Sequence, residues 1–70
     1  MKLHYDNSTD SLYIELSPVA SIESEEIRDG VVLDFDSKGG LVGIDLQHAS
    51  KQFDLDHVEI NTLMGLKKSA

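Results

Sequence analysis

The chain has no cysteine and no tryptophan, and one proline in 70 residues. Without cysteine, neither disulfide bonds nor thiolate metal ligands can stabilise the fold. No stretch approaches the roughly 18 consecutive apolar residues that a membrane-spanning helix needs. We therefore expect a single soluble, cytoplasmic domain over residues 1–70. A domain of this size buries only about 60% of its unfolded surface, so we also expect a homodimer.

Basic residues are scarce: six lysines and arginines stand against 13 acidic residues, and the net charge is −7. A charge of this sign repels nucleic-acid backbones and anionic membrane surfaces, so direct binding to either is not expected. It favours a basic protein partner. The alternative interpretation is that the charge only keeps a small domain soluble.

Alternation of apolar and polar residues is the main secondary-structure signal. The stretches KLHYD, SLYIEL, VVLDFD and LVGIDL alternate with a period of two, which is typical of half-buried strands. The segment VASIESEEIR alternates more weakly and is rich in carboxylates, as an edge strand often is. The predicted core consists of Leu12, Ile14, Leu16, Val31, Leu33, Phe35, Val42, Ile44 and Leu46.

Short polar connections predict antiparallel pairing of successive strands, because a parallel crossover needs a dozen or more residues. The expected fold class is α+β, with a small antiparallel meander of four or five strands and a C-terminal helix or helical turn. The meander is expected over about residues 2–47. A helical segment over about residues 50–66 would begin after Ser50 or Asp54 as N-cap, but Val58 and Ile60 would also suit a short strand.

The segment DFDSKGGLVGID, residues 34–45, partly matches a calcium-binding loop. Lys38 stands where such a loop needs an oxygen ligand, and Asp45 replaces the final bidentate glutamate. Two flanking strands predict a hairpin instead, in which Gly39 or Gly40 provides a positive φ. No metal site is expected here.

No catalytic set emerges from the remaining residues. The spacing of the three histidines fits no zinc motif, and phosphate loops and dinucleotide fingerprints are absent. His48 is expected to tie a bend to backbone carbonyls, and a role as metal ligand or acid–base group is the alternative. Ser50 lies two residues from His48, which alone does not make a triad. We therefore expect a non-enzymatic protein with no cofactor.

Two groups of residues are candidates for partner binding. The alternation places an apolar group opposite the predicted core, and such a patch often marks association. This group consists of Tyr13, Val32 and Leu41. An acidic cluster beside the expected edge strand would attract a basic partner. This cluster consists of Glu23, Glu25, Glu26 and Asp29. Structural roles in turns and bends are expected for Asp6, Asp10, Gly39, Gly40, His48 and Ser50.

The order of these motifs resembles the domain of unknown function 2283 family of small bacterial and archaeal proteins. The resemblance covers about residues 1–52, in YDNSTDSLYIEL and SEEIRDGVVLDFDSKGGLVGIDLQHASK. Lys38 departs from the family pattern, because relatives often have an acidic residue there. The pattern maps onto Tyr5, Asp6, Asp10, Leu12, Tyr13, Ile14, Leu16, Gly30, Val31, Asp34, Gly40, Leu41, Val42, Gly43, Ile44, Ala49 and Ser50. The family has no established biochemical activity. Some members look like antitoxins encoded beside small toxins, so the resemblance implies an antitoxin-like role.

Overall fold

The structure is a computed structural model that describes residues 1–61, and these form one five-stranded antiparallel sheet with one helical turn. The elements are β1 (Lys2–Asp6), β2 (Ser11–Glu15), β3 (Glu23–Arg28), β4 (Val31–Phe35), β5 (Leu41–Leu46) and α1 (Ala49–Gln52). The predicted α+β fold class is confirmed. Within residues 1–61, no helix is long and apolar enough to cross a bilayer.

The strand order across the sheet is β1-β2-β5-β4-β3. Strands that follow one another in the chain pair, except that β2 pairs with β5 and not with β3. This pairing brings Leu12 and Ile14 opposite Leu46 and Ile44, so two apolar strands lie together inside the sheet. The carboxylate-rich β3 lies at one edge, which confirms the predicted edge strand.

One face of the sheet is apolar. Directly paired residues of antiparallel strands point to the same face, so the register defines rows of side chains across the sheet. The first row consists of Leu3, Ile14, Ile44, Leu33 and Glu25. The second row consists of Tyr5, Leu12, Leu46, Val31 and Arg28. Both rows of this apolar face end on a charged residue at β3.

The opposite, polar face is defined by the alternate residues of the same strands. Its first row consists of Lys2, Glu15, Gly43, Asp34 and Ser24. Its second row consists of His4, Tyr13, Asp45, Val32 and Glu26. The two faces therefore differ sharply in polarity, which fixes the register of the strands because a shift of one residue would exchange the faces.

The apolar face is only partly covered. Among residues 1–61 the buried hydrophobic residues are Val31, Val42 and Ala49, and no large side chain is fully buried. The other members of the predicted core are half-buried: Leu12, Ile14, Leu16, Leu33, Phe35, Ile44 and Leu46. The alternation therefore identified the inner face, but the burial is shallower than in a closed core.

Helix α1 is shorter than the expected segment over residues 50–66. It ends at Gln52, because Phe53 adopts an extended conformation with φ −135° and ψ 155°. The carboxylate of Asp54 then accepts the N–H of Asp56 at 3.2 Å, a local bond that competes with helix formation. Residues 53–61 contain neither helix nor strand, so the alternative strand at Val58 and Ile60 is not formed either. Residues 62–66 lie outside the described residues.

The predicted hairpin connects β4 to β5. Gly39 has a φ of +82°, and its N–H donates to the carbonyl of Asp36 at 3.1 Å. The carboxylate of Asp36 accepts the N–H groups of Lys38 and Gly40, both at 2.8 Å. Thus a side chain that a calcium loop would use as a ligand caps a turn here. Across residues 1–61, no group of three or more potential ligands is placed to hold a metal ion.

Replacing Ile14 with alanine tests the assignment of the apolar face. Ile14 lies between Leu3 and Ile44 in the first apolar row, and it is half-buried. We expect a loss of about 2 kcal/mol in the free energy of unfolding, the lower end of the range for such truncations. Urea unfolding measures it. Ile22→Ala is the control, because Ile22 is 67% exposed, and it should cost under about 0.5 kcal/mol. Equal losses would contradict the assignment.

Candidate functional site

The turn between β1 and β2 meets the start of α1 at Asp10. The carbonyl of Asp10 accepts the N–H of Ala49 at 2.8 Å. Its carboxylate accepts the Ser50 hydroxyl at 2.8 Å and the Ser50 N–H at 3.1 Å. The Tyr5 hydroxyl donates to the same carboxylate at 2.6 Å. Asp10 therefore fixes α1 against the first hairpin, across 40 residues of sequence.

These donors change the acidity of the groups they join. The hydrogen bond from Tyr5, followed by that from Ser50, holds the pKa of Asp10 below its ordinary value of 3.8. The same bond raises the pKa of Tyr5 above 10.0. Asp6 caps the turn in a similar way by accepting the N–H and hydroxyl of Ser8, which lowers its pKa. The turn thus favours the ionised form of both carboxylates.

The contact of Asp10 with the start of α1 forms a corner, the Asp10 corner, to which His48 contributes its backbone. Its φ of 52° lies in the left-handed region, and its carbonyl accepts the N–H groups of Lys51 and Gln52. Within residues 1–61 no hydrogen bond joins the His48 ring to Ser50, whose hydroxyl donates to Asp10. The Ser50 hydroxyl therefore donates to a carboxylate and not to an imidazole base, unlike the arrangement that activates a serine nucleophile.

The other end of α1 is held by Gln52, which sequence reasoning did not identify. Its side-chain carbonyl accepts Arg28 Nη2 at 2.9 Å, and its amide donates to the carbonyl of Gln47. Gly30 has a φ of +84°, and a Cβ there would collide with the Gln52 amide. The Asp29–Gly30 dipeptide signals a turn, but no local pattern signals the partner of Gln52.

A groove of about 420 Å³ opens on the apolar face beside α1. It is lined by Leu3, Tyr5, Leu12, Ser50, Leu55, Asp56 and Val58. Leu3, Tyr5 and Val58 are 49%, 46% and 64% exposed, so a large part of the apolar lining is accessible to a partner. Sequence reasoning missed the groove because one wall comes from the irregular segment after α1. The groove and the apolar rows beside it are the candidate binding surface.

The predicted apolar group of Tyr13, Val32 and Leu41 does not form one patch. Tyr13 and Val32 lie in the same row of the polar face, separated by Asp45, and both are half-buried. Leu41 begins β5 and is 40% exposed. It pairs with Phe35, and a register shift separates this pair from the rest of the β4–β5 ladder. The structure therefore brings Tyr13 and Val32 to one face and leaves Leu41 at the end of the sheet.

Tyr13 bridges the strands of the polar face. Its hydroxyl lies over Gly43 and donates to Asp34 at 2.9 Å, while the Ser24 hydroxyl donates to the other oxygen of Asp34 at 2.6 Å. Burial, followed by the bond to Asp34, raises the pKa of Tyr13 to about 12. A side chain at position 43 would occupy the space of the hydroxyl, so this bridge needs glycine there.

The register divides the acidic cluster between the two faces. Glu23 and Glu25 pair with Phe35 and Leu33 and so border the apolar face. Glu26 belongs to the polar face, and its carboxylate accepts the N–H of Gly30 at 3.2 Å. Asp29 lies in the turn after β3. In the described part of the chain the close contacts between basic and acidic side chains are His4–Glu15 and His57–Asp54, and neither involves β3.

Comparison with known proteins identifies the family. The model of a family described as "Protein of unknown function (DUF2283)" matches residues 2–50. This chain is a DUF2283 protein. The predicted resemblance is therefore confirmed. The match extends from β1 through the strands of the sheet to Ser50, the residue that α1 places against Asp10.

A curated relative of this DUF2283 chain is the uncharacterized protein MJ0789 of Methanocaldococcus jannaschii. The two are 32% identical over 60 residues, which cover 86% of the present chain and 51% of the relative. The DUF2283 chain thus spans about half the length of that protein. No solved structure matches the present chain.

Replacing Tyr5 with phenylalanine tests the Asp10 corner. Because the folded pKa of Asp10 is lowered, its ionised form stabilises the fold above the ordinary aspartate pKa, and this contribution is lost as pH falls through the lowered pKa. Tyr5→Phe removes the largest cause, so the midpoint of Asp10 should rise toward 3.8 in a carboxyl NMR titration. Asp6 is the internal control and should not move. An unchanged Asp10 midpoint would refute this account.

Replacing Asp34 with asparagine tests the polar face. Removal of the carboxylate should lower the pKa of Tyr13 from about 12, but burial should keep it above 10.0. Alkaline titration of tyrosinate absorbance measures this shift, with Tyr5→Phe as background so that Tyr13 is the only tyrosine that reports. An unchanged titration of Tyr13 would show that the hydrogen bond to Asp34 is not formed.

Proposed function

We propose that this DUF2283 protein is a non-enzymatic protein-binding module that uses the apolar face of its sheet. The observation that supports this most strongly is the shallow burial of that face, on which Leu12, Ile14 and Leu33 remain half-buried. Apolar surface left in contact with water is a driving force for association, at about 25 cal/mol for each Å² that a partner covers. The groove beside α1 provides the deepest contact point.

The partner is expected to be basic at one end. Glu23 and Glu25 border the apolar face on β3, and no ion pair within residues 1–61 neutralises them. The groove lies at the opposite side, against β1 and β2. A partner that fills the groove and follows the first apolar row meets Glu25, with Glu23 nearby, at its far end, which favours lysine or arginine there. Arg28, at the end of the second row, donates to Gln52.

The dimensions of the sheet favour an amphipathic helix as the binding segment. From β1 to β3 the sheet has four strand spacings, or about 19 Å at about 4.8 Å each. A helix rises about 1.5 Å per residue, so about 13 residues would cross this width. An apolar stripe on such a helix would pack on the two apolar rows in the usual helix-in-groove mode. Neutralisation of a small basic toxin, the antitoxin-like role that the family resemblance implies, is one form of this function.

A second candidate function is a structural or regulatory homodimer with no other partner. It is favoured by a different observation, the outer edge of β1. All five residues of that strand are exposed, and no residue of the described chain pairs with its outer side. An edge of this kind is suited to a second copy of the chain.

A peptide titration tests the proposed function. The probe is a synthetic amphipathic helix of about 16 residues, slightly longer than the width of the sheet, with a leucine stripe and three lysines at one end. We expect saturable binding in a fluorescence anisotropy titration. The same helix with glutamates in place of the lysines should bind about ten-fold more weakly, because it meets Glu23 and Glu25 with like charge.

Two variants of the protein distinguish a charge that borders the apolar face from a change in net charge elsewhere. Glu25→Lys should weaken binding of the lysine helix about five-fold, since it reverses a charge at the end of an apolar row. Asp29→Lys changes the net charge equally but lies in a turn outside the rows, so its effect should be under about two-fold at physiological salt, where exposed charges are screened. Equal effects of the two variants, or equal binding of both helices, would contradict the proposal.

A further inference from the structure

We propose that two copies of this chain associate through the outer edges of their β1 strands and form one continuous ten-stranded antiparallel sheet. This inference rests on the second candidate function, the homodimer, and specifies its interface; it is independent of binding to the apolar face. It rests on the contrast between the two edge strands and on the sequence of β1.

The two edges of the sheet differ in how well they are protected from pairing. Strand β3 carries Glu23, Glu25, Glu26 and Arg28, and its register shifts between Glu26 and Arg28. Charges and irregularities of this kind discourage the addition of another strand. Strand β1 pairs with β2 along all five residues without a shift, and it contains no proline. Its outer edge is therefore regular, and no strand within residues 1–61 pairs with it.

The sequence of β1 is complementary to itself when reversed. In an antiparallel pair centred on His4, Lys2 of each copy lies opposite Asp6 of the second copy, and Leu3 lies opposite Tyr5. Each dimer thus gains two pairs of opposite charge and two apolar pairs, and such cross-strand neighbours stabilise a sheet. His4 faces the second copy's His4 on the two-fold axis, as an isologous interface requires.

This register is the one that uses the whole strand. A shift of one residue would place apolar side chains opposite polar ones and invert one sheet relative to the other. A shift of two residues in one direction pairs Lys2 with His4 and leaves Asp6 without a partner strand residue. A shift of two in the other direction pairs His4 with Asp6 and moves Lys2 beyond the end of the strand.

The rest of the first hairpin is already arranged for this pairing. Leu3 and Tyr5 are about half exposed on the apolar face, and the hydrogen bond from Tyr5 to Asp10 fixes the ring at the edge. In the paired sheet, the apolar rows of the two copies would meet at these residues and become continuous. The two grooves would then lie on either side of the two-fold axis.

Disulfide trapping tests the pairing, since the natural chain has no cysteine and a single introduced thiol reports only on contacts between copies. His4→Cys places two thiols opposite each other, at a Cβ separation of about 4.5–5.5 Å, close to what a disulfide requires. Two matched variants are Glu23→Cys on the β3 edge and Lys38→Cys in the hairpin loop, both exposed. Under mild oxidation at equal concentration, we expect His4→Cys to form covalent dimer at least ten-fold faster than either.

The charge pair has its own test on the chain with its natural His4. Lys2→Asp places like charges opposite each other twice in the dimer and should weaken dimerisation about ten-fold in sedimentation equilibrium. Lys38→Asp makes the same charge change away from β1 and should leave the dimer unchanged. Slow trapping of His4→Cys at the rate of Lys38→Cys, or fastest trapping of Glu23→Cys, would overturn the inference. Neither outcome bears on peptide binding to the apolar face, so the two proposals fail separately.

Discussion

The stability of the fold is limited by the small number of residues that cover the apolar face of the sheet. Five strands present two apolar rows, and across residues 1–61 the cover is one helical turn and an irregular segment. A small domain gains most of its stability from removing such surface from water. Hydrogen bonds therefore fix both ends of α1. Asp10 binds Ser50 at its start, and Gln52 at its end binds Arg28 and the carbonyl of Gln47. What this cover leaves open becomes the candidate binding surface.

The same constraint explains the division of charge. On the polar face, the carboxylate of Asp34 accepts the hydroxyls of Tyr13 and Ser24. Glu23 and Glu25 have no such partners among the described residues; Glu25 ends the first apolar row, and Glu23 lies beside it, opposite Phe35. Their position is consistent with an edge strand protected from pairing and with a basic partner on the adjoining face. Strand β1, by contrast, ends the sheet without comparable protection.

Sequence patterns predicted the features that depend on residues close together in the chain, such as strand faces and hairpin turns. Alternation identified the inner-facing residues of the strands, because a period of two leaves only one choice of face, and Gly39 marked the hairpin because its turn needs a positive φ. Pairing of β2 with β5 was not predictable, since many strands offer a suitable apolar face. The predicted helix was too long because the carboxylate of Asp54 accepts the N–H of Asp56, a local bond that competes with helix formation. Contacts such as Asp10–Ser50, 40 residues apart, have no local signal, so neither the corner nor the groove could be derived.

The central claim is that the apolar face, and not the polar face, binds a partner. Methyl NMR during titration with the lysine helix tests it most directly, because both faces carry suitable probes. The account predicts that Leu12, Ile14, Leu33 and Ile44 shift together, while Val32 on the polar face keeps its position. Shifts concentrated at Val32, with the four apolar-face residues unchanged, would contradict it.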